Sequence, residues 1–253
     1  MRQCRFCINP ANSREHIWSD WILERLRKGD KAISGHISGK AKYWQGRKPG
    51  LRVRGVCETC NLGWMSRLEH VNSPSLGCLM SDLALPALNP TQQTSITRWA
   101  VMKAMTMECS TAKNRKLFYT RHECEALHLS SAIPAKTFVW LARYSGHLNL
   151  TFIGTDVWDQ EPERPEVLHG FVSTISFGYL AMQVVTFHTV QRHGPIIAPK
   201  TIAPWGKLLL QIWPNPRASA SWPPDLSFSD TGSFGLGDLI WRWADNPAPN
   251  SPE

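Results

Sequence analysis

Apolar and polar positions change their spacing along the chain, and the change predicts two kinds of structure. Apolar residues recur at helical spacing over residues 91–109, and a shorter helix is predicted over residues 121–129. After Pro134, apolar and polar residues alternate in short runs separated by Gly, Pro and Asp, as in strands. Five strands are predicted, at residues 137–144, 148–154, 169–177, 179–188 and 208–213. They predict a small antiparallel sheet in which residues 144–147 form a hairpin turn.

The first 90 residues show shorter and less regular patterns. A strand is predicted to end at Glu15-His16, and Ser19-Asp20 can cap a helix over residues 21–28. Residues 29–50 predict a loop rich in Gly and Lys, and residues 51–56 predict a strand. A further helix is expected to end near His70, followed by an irregular Pro-containing bridge over residues 74–90.

Together these patterns predict an α+β fold in several parts. The chain of 253 residues is long enough for a second core beside an N-terminal module. We expect that module at residues 1–72, a helical bridge at 73–133 and an antiparallel β accessory domain at 134–245. Residues 246–253 are rich in Pro and polar residues and predict a disordered tail.

Two Cys-x-x-Cys pairs, Cys4/Cys7 and Cys57/Cys60, carry the clearest chemical signal. Four thiolates are a ligand set of structural zinc sites, and we expect one zinc ion here. The separation exceeds that of a compact finger. The alternatives are two unrelated buried cysteine pairs or a redox pair, although redox pairs normally occur singly. Three other cysteines occur singly and are expected in the core: Cys78, Cys109 and Cys124.

The dipeptide Glu15-His16 lies between the two cysteine pairs, and Asn61 directly follows the second pair. This order, with Glu-His-Ile between the pairs, resembles the HNH endonucleases, also called ββα-metal or treble-clef nucleases. Residues 60–69, Cys-Asn-Leu-Gly-Trp-Met-Ser-Arg-Leu-Glu, are similar to a bacterial HNH subgroup with the pattern CN-x-GWMS-x-LE. The resemblance covers about residues 1–72 and weakly includes residues 99–105.

The resemblance implies a treble-clef module that hydrolyses phosphodiester bonds with one divalent metal ion. His16 would be the general base that deprotonates water, a role suited to a neutral imidazole. Glu15 and Asn61 would bind a catalytic Mg²⁺ or Mn²⁺, since hard divalent ions prefer oxygen ligands. A role in phage defence or as a toxin-like effector is implied by the resemblance alone. Glu69 is expected to form a salt bridge on its helix, with Trp64 and Leu68 packed on the cysteine pairs.

One feature departs from the family pattern and keeps a second function open. Many HNH enzymes have a middle Asn or His that orients the base, but no Asn lies between His16 and Cys57. His36, Gln45 or a backbone carbonyl could orient the ring instead. The alternative function is a non-catalytic zinc module that binds nucleic acid or a protein partner.

The charge distribution favours nucleic acid as the partner of the N-terminal segment. Residues 1–72 contain 14 Lys and Arg against 6 Asp and Glu, whereas residues 73–253 contain 14 of each. The whole net charge of +8 therefore lies in the first segment, as expected for a surface that binds the phosphates of nucleic acid. We expect the substrate to be DNA. Six residues are expected to contact the backbone: Lys40, Lys42, Arg47, Lys48, Arg52 and Arg54.

The sequence also bears on location and on the C-terminal half. The N-terminus does not resemble a signal peptide, no run of about 18 apolar residues is present, and metal-ligand cysteines suit a reducing compartment. We therefore expect a cytoplasmic protein. The C-terminal half contains no catalytic motif. Its many tryptophans after residue 200 are expected in the core by default, or at a surface for self-association or a regulatory protein.

Overall fold

The computed structural model describes most of the chain. The described residues are 2–26, 32–37, 40–45, 52–83, 87–109, 117–146, 150–158, 168–188 and 205–228. They form a mixed helix and strand structure with a largely antiparallel sheet. Of the predicted phosphate contacts, Arg47 and Lys48 lie outside this part of the chain, and so does the predicted tail.

Helices and strands are interspersed along the chain. The strands are β1 (Glu15–His16), β2 (Ala32–Ile37), β3 (Lys40–Gln45), β4 (Arg52–Val53), β5 (Thr137–Tyr144), β6 (Leu150–Trp158), β7 (Leu168–Phe177), β8 (Leu180–Phe187), β9 (Leu209–Trp213) and β10 (Ser227–Phe228). The helices are α1 (Asp20–Arg25), α2 (Glu58–Cys60), α3 (Ser66–Met80), α4 (Pro90–Glu108), α5 (Arg121–Leu129) and α6 (Trp205–Leu208). A π-helical turn, Asn61–Met65, connects α2 to α3.

The sheets differ in size. Strands β1 and β4 form a two-stranded antiparallel pair, and eight strands form the large sheet, in the order β10-β5-β8-β7-β6-β2-β3 with β9 also paired to β5. The pairings β5–β8, β8–β7 and β7–β6 are antiparallel, as expected from the alternating pattern. Two pairings, β2–β6 and β10–β5, are parallel.

Two expectations about connections were wrong. The segment predicted as a loop at residues 29–50 contains the antiparallel pair β2 and β3, because β6 offers β2 a parallel partner that lies far away in sequence. Among the described strands, β5 and β6 also do not form the hairpin that was predicted with a turn at residues 144–147, since β5 pairs with β8, β9 and β10, while β6 lies beyond β7. Gly146 followed a strand end and gave a local turn signal, but the strand partners are set by distant packing.

Helix α3 extends ten residues beyond the predicted end at His70 and contains Pro74. Proline lacks an N–H, so the carbonyl of His70 loses its usual donor at residue 74. The Ser73 hydroxyl donates to that carbonyl at 3.1 Å, and the Arg25 guanidinium donates to the Ser73 carbonyl at 2.8 Å. These contacts satisfy the backbone next to Pro74 and allow the helix to continue to Met80.

Helices α4 and α5 confirm the predictions for residues 91–109 and 121–129, with one-residue changes at the ends of α4. Each begins with a capping box, Asn89 with Gln92 for α4 and Thr120 with Glu123 for α5. Every residue from Trp99 to Glu108 is buried, so α4 lies in the middle of the molecule. It packs against α3 on one side and against β8 and β9 on another.

One hydrophobic core cluster includes residues from all three expected segments. It contains Phe6 and Trp64, Trp99 of α4, and Leu141 and Phe177 of the large sheet. Trp222 belongs to this cluster and Trp213 packs against it, which fits the default expectation of core tryptophans. The division into separately folding domains stays a prediction. No helix within the described ranges has the length and apolar character required to cross a bilayer.

Candidate functional site

The four predicted zinc ligands lie together. The sulfurs of Cys4, Cys7, Cys57 and Cys60, called the cysteine cluster below, all lie within 4.8 Å of one another. Cys7 Sγ is 3.5 Å from Cys57 Sγ and 3.6 Å from Cys60 Sγ. Sulfurs held about 2.3 Å from a tetrahedral zinc lie about 3.8 Å apart, whereas a disulfide needs about 2.05 Å. The cluster could therefore hold a structural metal ion such as zinc.

The protonation state of the cluster would change if a cation bound. Burial raises the pKa of Cys4 and that of Cys60. Burial disfavours the Cys57 thiolate too, but the Cys60 backbone N–H and neighbouring thiols outweigh it and lower the Cys57 pKa to about 7. A divalent cation would favour thiolates at all four positions, so metal binding would release protons.

Local hydrogen bonds explain how each cysteine pair turns toward the other. Cys57 is the N-cap of α2, and its sulfur accepts from the Cys60 N–H at 3.3 Å. The Cys4 N–H donates to the Asn9 carbonyl at 2.8 Å, which closes the first turn. The Arg5 N–H donates to the Gly55 carbonyl at 2.9 Å and joins the two segments. A Cβ at Gly55 would lie 2.7 Å from Cys109 Sγ, so this close approach requires glycine.

Helix α5 and the π-helical turn support the cysteine cluster from outside. The Phe6 ring lies edge-on to Trp64 with centroids 5.1 Å apart, and Trp64 stacks on His128 at 5.2 Å. His128 Nδ1 donates to the Phe6 carbonyl at 3.0 Å, and Arg121 donates to the Cys7 carbonyl at 2.7 Å. Trp64, one of the two residues expected to pack on the cysteine pairs, thus packs on Phe6, which lies between Cys4 and Cys7.

Strand β1 places the Glu-His dipeptide beside β4. The antiparallel register puts Glu15 opposite Val53 and His16 opposite Arg52. Neighbouring residues of a strand point to opposite faces. Accordingly, Glu15 is only 6% exposed, whereas His16 is half-buried and its partner Arg52 is exposed. The two residues of the dipeptide therefore have different surroundings.

Glu15 forms part of a buried charge cluster with Lys103 and Glu69. The Lys103 ammonium lies 2.9 Å from Glu15 Oε1 and 2.6 Å from Glu69 Oε1, and it donates to the His16 carbonyl at 3.1 Å. Burial alone would lower the Lys103 pKa, but Glu69 and Glu15 outweigh it, so the pKa is raised. Lys103 therefore stays protonated and connects α4 to β1 and α3.

Glu69 confirms the expectation of a salt bridge, although its partner lies on another helix. It also accepts a hydrogen bond from the Ser19 hydroxyl, which consequently does not cap α1. Lys103 was not predicted as a site residue. A signal was present, because a lysine in the apolar run Trp-Ala-Val-Met-Lys-Ala-Met requires a buried counter-ion.

His16 contacts Arg52 through its outer ring nitrogen. Arg52 Nε donates to His16 Nε2 at 2.6 Å. A guanidinium has only donors, so Nε2 must be the acceptor, and a neutral ring then carries its proton on Nδ1. The residue that contacts the ring is thus an arginine on the adjacent strand. His36 and Gln45, the predicted orienting residues, lie on β2 and β3, where the structure describes the backbone alone.

Asn61 lies at the start of the π-helical turn and is joined to the residues before β1. Its Nδ2 donates to Ser13 Oγ at 2.8 Å, and Asn12 Oδ1 accepts from the Glu58 N–H at 2.9 Å. An amide that donates through Nδ2 keeps its oxygen as an acceptor. The structure thus brings Asn61 to the segment that leads into Glu15-His16.

The remaining predicted phosphate contacts lie on or next to strands β3 and β4. Arg54 is exposed, and its carbonyl accepts from the Arg2 guanidinium at 3.3 Å. Lys40 and Lys42 belong to β3, at the end of the large sheet.

Comparisons of the chain with protein-family models, curated proteins and solved structures found no match. The resemblance to the HNH endonucleases therefore rests on the residues quoted above.

Proposed function

We propose that this protein is a zinc-stabilised HNH-type endonuclease with a treble-clef module. One observation carries the proposal: the cysteine cluster joins a first turn, the strand pair β1–β4 and a helical run that begins at Cys57. That order of turn, strand pair and helix supports a treble clef. The strand pair β1–β4 places His16 beside Arg52, where the ring is partly exposed.

His16 is the proposed general base for phosphodiester hydrolysis. A water molecule gives a proton to the ring, and its oxygen forms a bond to phosphorus. The bond from phosphorus to one bridging oxygen breaks, and the leaving oxygen takes up a proton. Lys103 holds the His16 carbonyl and so fixes the backbone that carries the ring.

Glu15 and Asn61 are the proposed ligands of a catalytic Mg²⁺ or Mn²⁺. Lys103 contacts Glu15 Oε1, which leaves Oε2 as the carboxylate oxygen for a metal, and Asn61 supplies its amide oxygen. Two hard oxygens fit such an ion. The ion would stabilise the charge that develops on the phosphate.

Plasmid cleavage with Mg²⁺, Mn²⁺ or EDTA tests this function. His16→Ala should lower the cleavage rate by about 10²–10⁴-fold, the usual loss when a general base is removed. His122→Ala is the control, because His122 is an exposed histidine of α5 that has no proposed role in catalysis. Zinc content and circular dichroism should stay unchanged in both variants. A His16→Ala variant that cleaves at the wild-type rate would make His16 structural.

A non-catalytic zinc module that binds nucleic acid is the second candidate. The Lys103–Glu15 ion pair favours it, because a buried ammonium already neutralises the carboxylate that would bind the metal. The two candidates differ in one outcome. A module of this kind would bind duplex DNA with the expected salt dependence and leave plasmid intact with every metal.

The basic residues of the first segment should set the salt dependence of DNA binding. Each phosphate contact contributes about 0.9 to the slope of log K against log salt. Arg52→Gln combined with Arg54→Gln should therefore lower the slope by roughly 2. Lys207→Gln with Arg217→Gln removes the same charge from exposed positions of the C-terminal half and should leave the slope unchanged. Fluorescence anisotropy at several salt concentrations measures the slope for each double variant. Equal slopes in the two double variants would place the DNA elsewhere.

A further inference from the structure

Arg52 and His16 form a cross-strand pair in which the ring nitrogen is already engaged. They are directly opposite in the β1–β4 register, and the Arg52 Nε–H points to His16 Nε2 at 2.6 Å. A lone pair that accepts this hydrogen bond cannot at the same time accept a proton from water. In this arrangement the proposed base is therefore held in an inactive state.

We propose that Arg52 is a phosphate-responsive positioning residue that releases His16 when a nucleic-acid phosphodiester binds. This inference rests on the proposed function. The incoming phosphate takes the guanidinium as its partner, and His16 Nε2 then faces the bound phosphodiester as a free acceptor. No covalent bond changes in this step. One hydrogen bond to imidazole is exchanged for hydrogen bonds to phosphate oxygens.

The chemistry of the two acceptors favours this exchange. A guanidinium bonds more strongly to an anionic phosphate than to a neutral imidazole, and it can hold the phosphate through two parallel N–H groups. The bond to His16 uses Nε, so the two terminal nitrogens of Arg52 provide the four other N–H donors. Arg52 is exposed and can meet a ligand from solvent.

The backbone around His16 is fixed, so Arg52 is the side chain expected to move in the exchange. Lys103 holds the His16 carbonyl at 3.1 Å, and the flanking residues Glu15 and Ile17 are buried. His16 thus belongs to a fixed strand, whereas Arg52 has a long side chain on the exposed face. The phosphate is expected to draw Arg52 away while the ring stays in place.

Nitrogen NMR of the His16 ring tests the inference without any need for cleavage. Zinc-loaded protein is studied in Mg²⁺-free buffer, with His16→Gln used to assign the ring signals. A 12-base-pair DNA duplex should shift the Nε2 resonance, because its hydrogen bond from Arg52 is lost. Arg52→Met should shift that resonance in free protein and make it insensitive to DNA. Arg54→Met is the control and should leave the free-protein resonance at its wild-type position.

Steady-state cleavage gives a second measurement that a purely structural residue would not affect in the same way. Arg52→Met should raise KM because the phosphate loses its guanidinium partner, and should lower kcat because that partner no longer stabilises the reacting phosphate, even though His16 is free from the start. Arg52→Lys should keep KM near wild type and still lower kcat. Lysine keeps the charge but lacks the planar fork that contacts imidazole and phosphate in turn. The expected fall in kcat is about 10- to 100-fold, as for loss of one hydrogen bond to a charged group.

The outcomes separate this inference from the proposed function. If DNA leaves the His16 resonances unchanged and Arg52→Met has wild-type kcat and KM, the inference is overturned, while an inactive His16→Ala still supports the nuclease. If wild-type protein cleaves no DNA with any metal, the nuclease is overturned. The NMR measurement then shows separately whether phosphate binding releases His16 from Arg52.

Discussion

Cys60→Ser should remove the bound zinc and unfold the N-terminal segment. Structural zinc sites contribute about 10–16 kcal/mol at neutral pH, which matches or exceeds the 5–15 kcal/mol that stabilises a whole domain. The cysteine cluster joins the first turn to the helical run after Cys57, and Phe6 between the ligands belongs to the main core. Loss of the metal would therefore expose core residues as well as the site.

Elemental analysis and limited proteolysis measure this effect. Wild-type protein should contain one zinc per chain and resist proteolysis over residues 2–26. Cys78→Ser is the matched control, because Cys78 is a partly buried cysteine outside the cluster, and it should keep the zinc. Well-folded wild-type protein without zinc would contradict the proposal.

The pH dependence of zinc affinity follows from the same thiols. Metal ligation requires thiolates, and the pKa values of Cys4 and Cys60 are raised while that of Cys57 is about 7. Protons therefore compete with zinc increasingly as the pH falls. Zinc release to a chelator should become faster and more complete on acidification, which a colorimetric zinc indicator can follow.

Lys103→Met should cost about 3–5 kcal/mol of unfolding free energy, the usual effect of removing one partner from a buried ion pair. The change leaves the carboxylates of Glu15 and Glu69 in the interior without their cation. Chemical denaturation monitored by circular dichroism measures the loss. Glu125→Gln is the control, because it removes the partly exposed ion pair with Arg121 and should cost about 0.3–0.5 kcal/mol.

A neutral version of the charge cluster separates stability from function. Combining Lys103→Met with Glu15→Gln and Glu69→Gln removes all three charges and should restore most of the stability. Cleavage should not return, because the proposed metal ligand Glu15 is absent. Wild-type stability in the single Lys103→Met variant would mean that the ammonium is dispensable for folding.

Local signals in the sequence were sufficient for some elements and not for others. Helices α4 and α5 were predictable because Asn89 and Thr120 cap them and because apolar residues recur on their faces. Strands β5, β7 and β8 were found nearly in full from short apolar runs separated by Gly and Pro, although β5 and β8 are buried along nearly their whole length and do not alternate. The capping contacts of the two helices lie within a few residues of one another, whereas β5 pairs with β8, which lies well beyond it in the sequence.

The missed features depend on residues that are distant in the sequence. The pairing of β2 with β6 joins segments more than a hundred residues apart, and the passage of α3 through Pro74 depends on Ser73 and Arg25. At the site, the cysteine cluster was predictable from spacing. The contacts of Lys103 with Glu15 and of Arg52 with His16 were not, because they arise from how α4 and β4 pack against β1.

The position of Lys103 in the chain has a consequence for biosynthesis. All four residues of the cysteine cluster precede it, so the proposed zinc ligands are made before the ammonium that neutralises Glu15. The strand that pairs with β2 is synthesised later still, at Leu150–Trp158. A polypeptide released near Asn89 would contain the four residues of the cysteine cluster and His16 but would lack the counter-ion for the carboxylates of Glu15 and Glu69. Completion of the His16 surroundings therefore depends on translation of α4, which follows all four residues of the cysteine cluster in the chain.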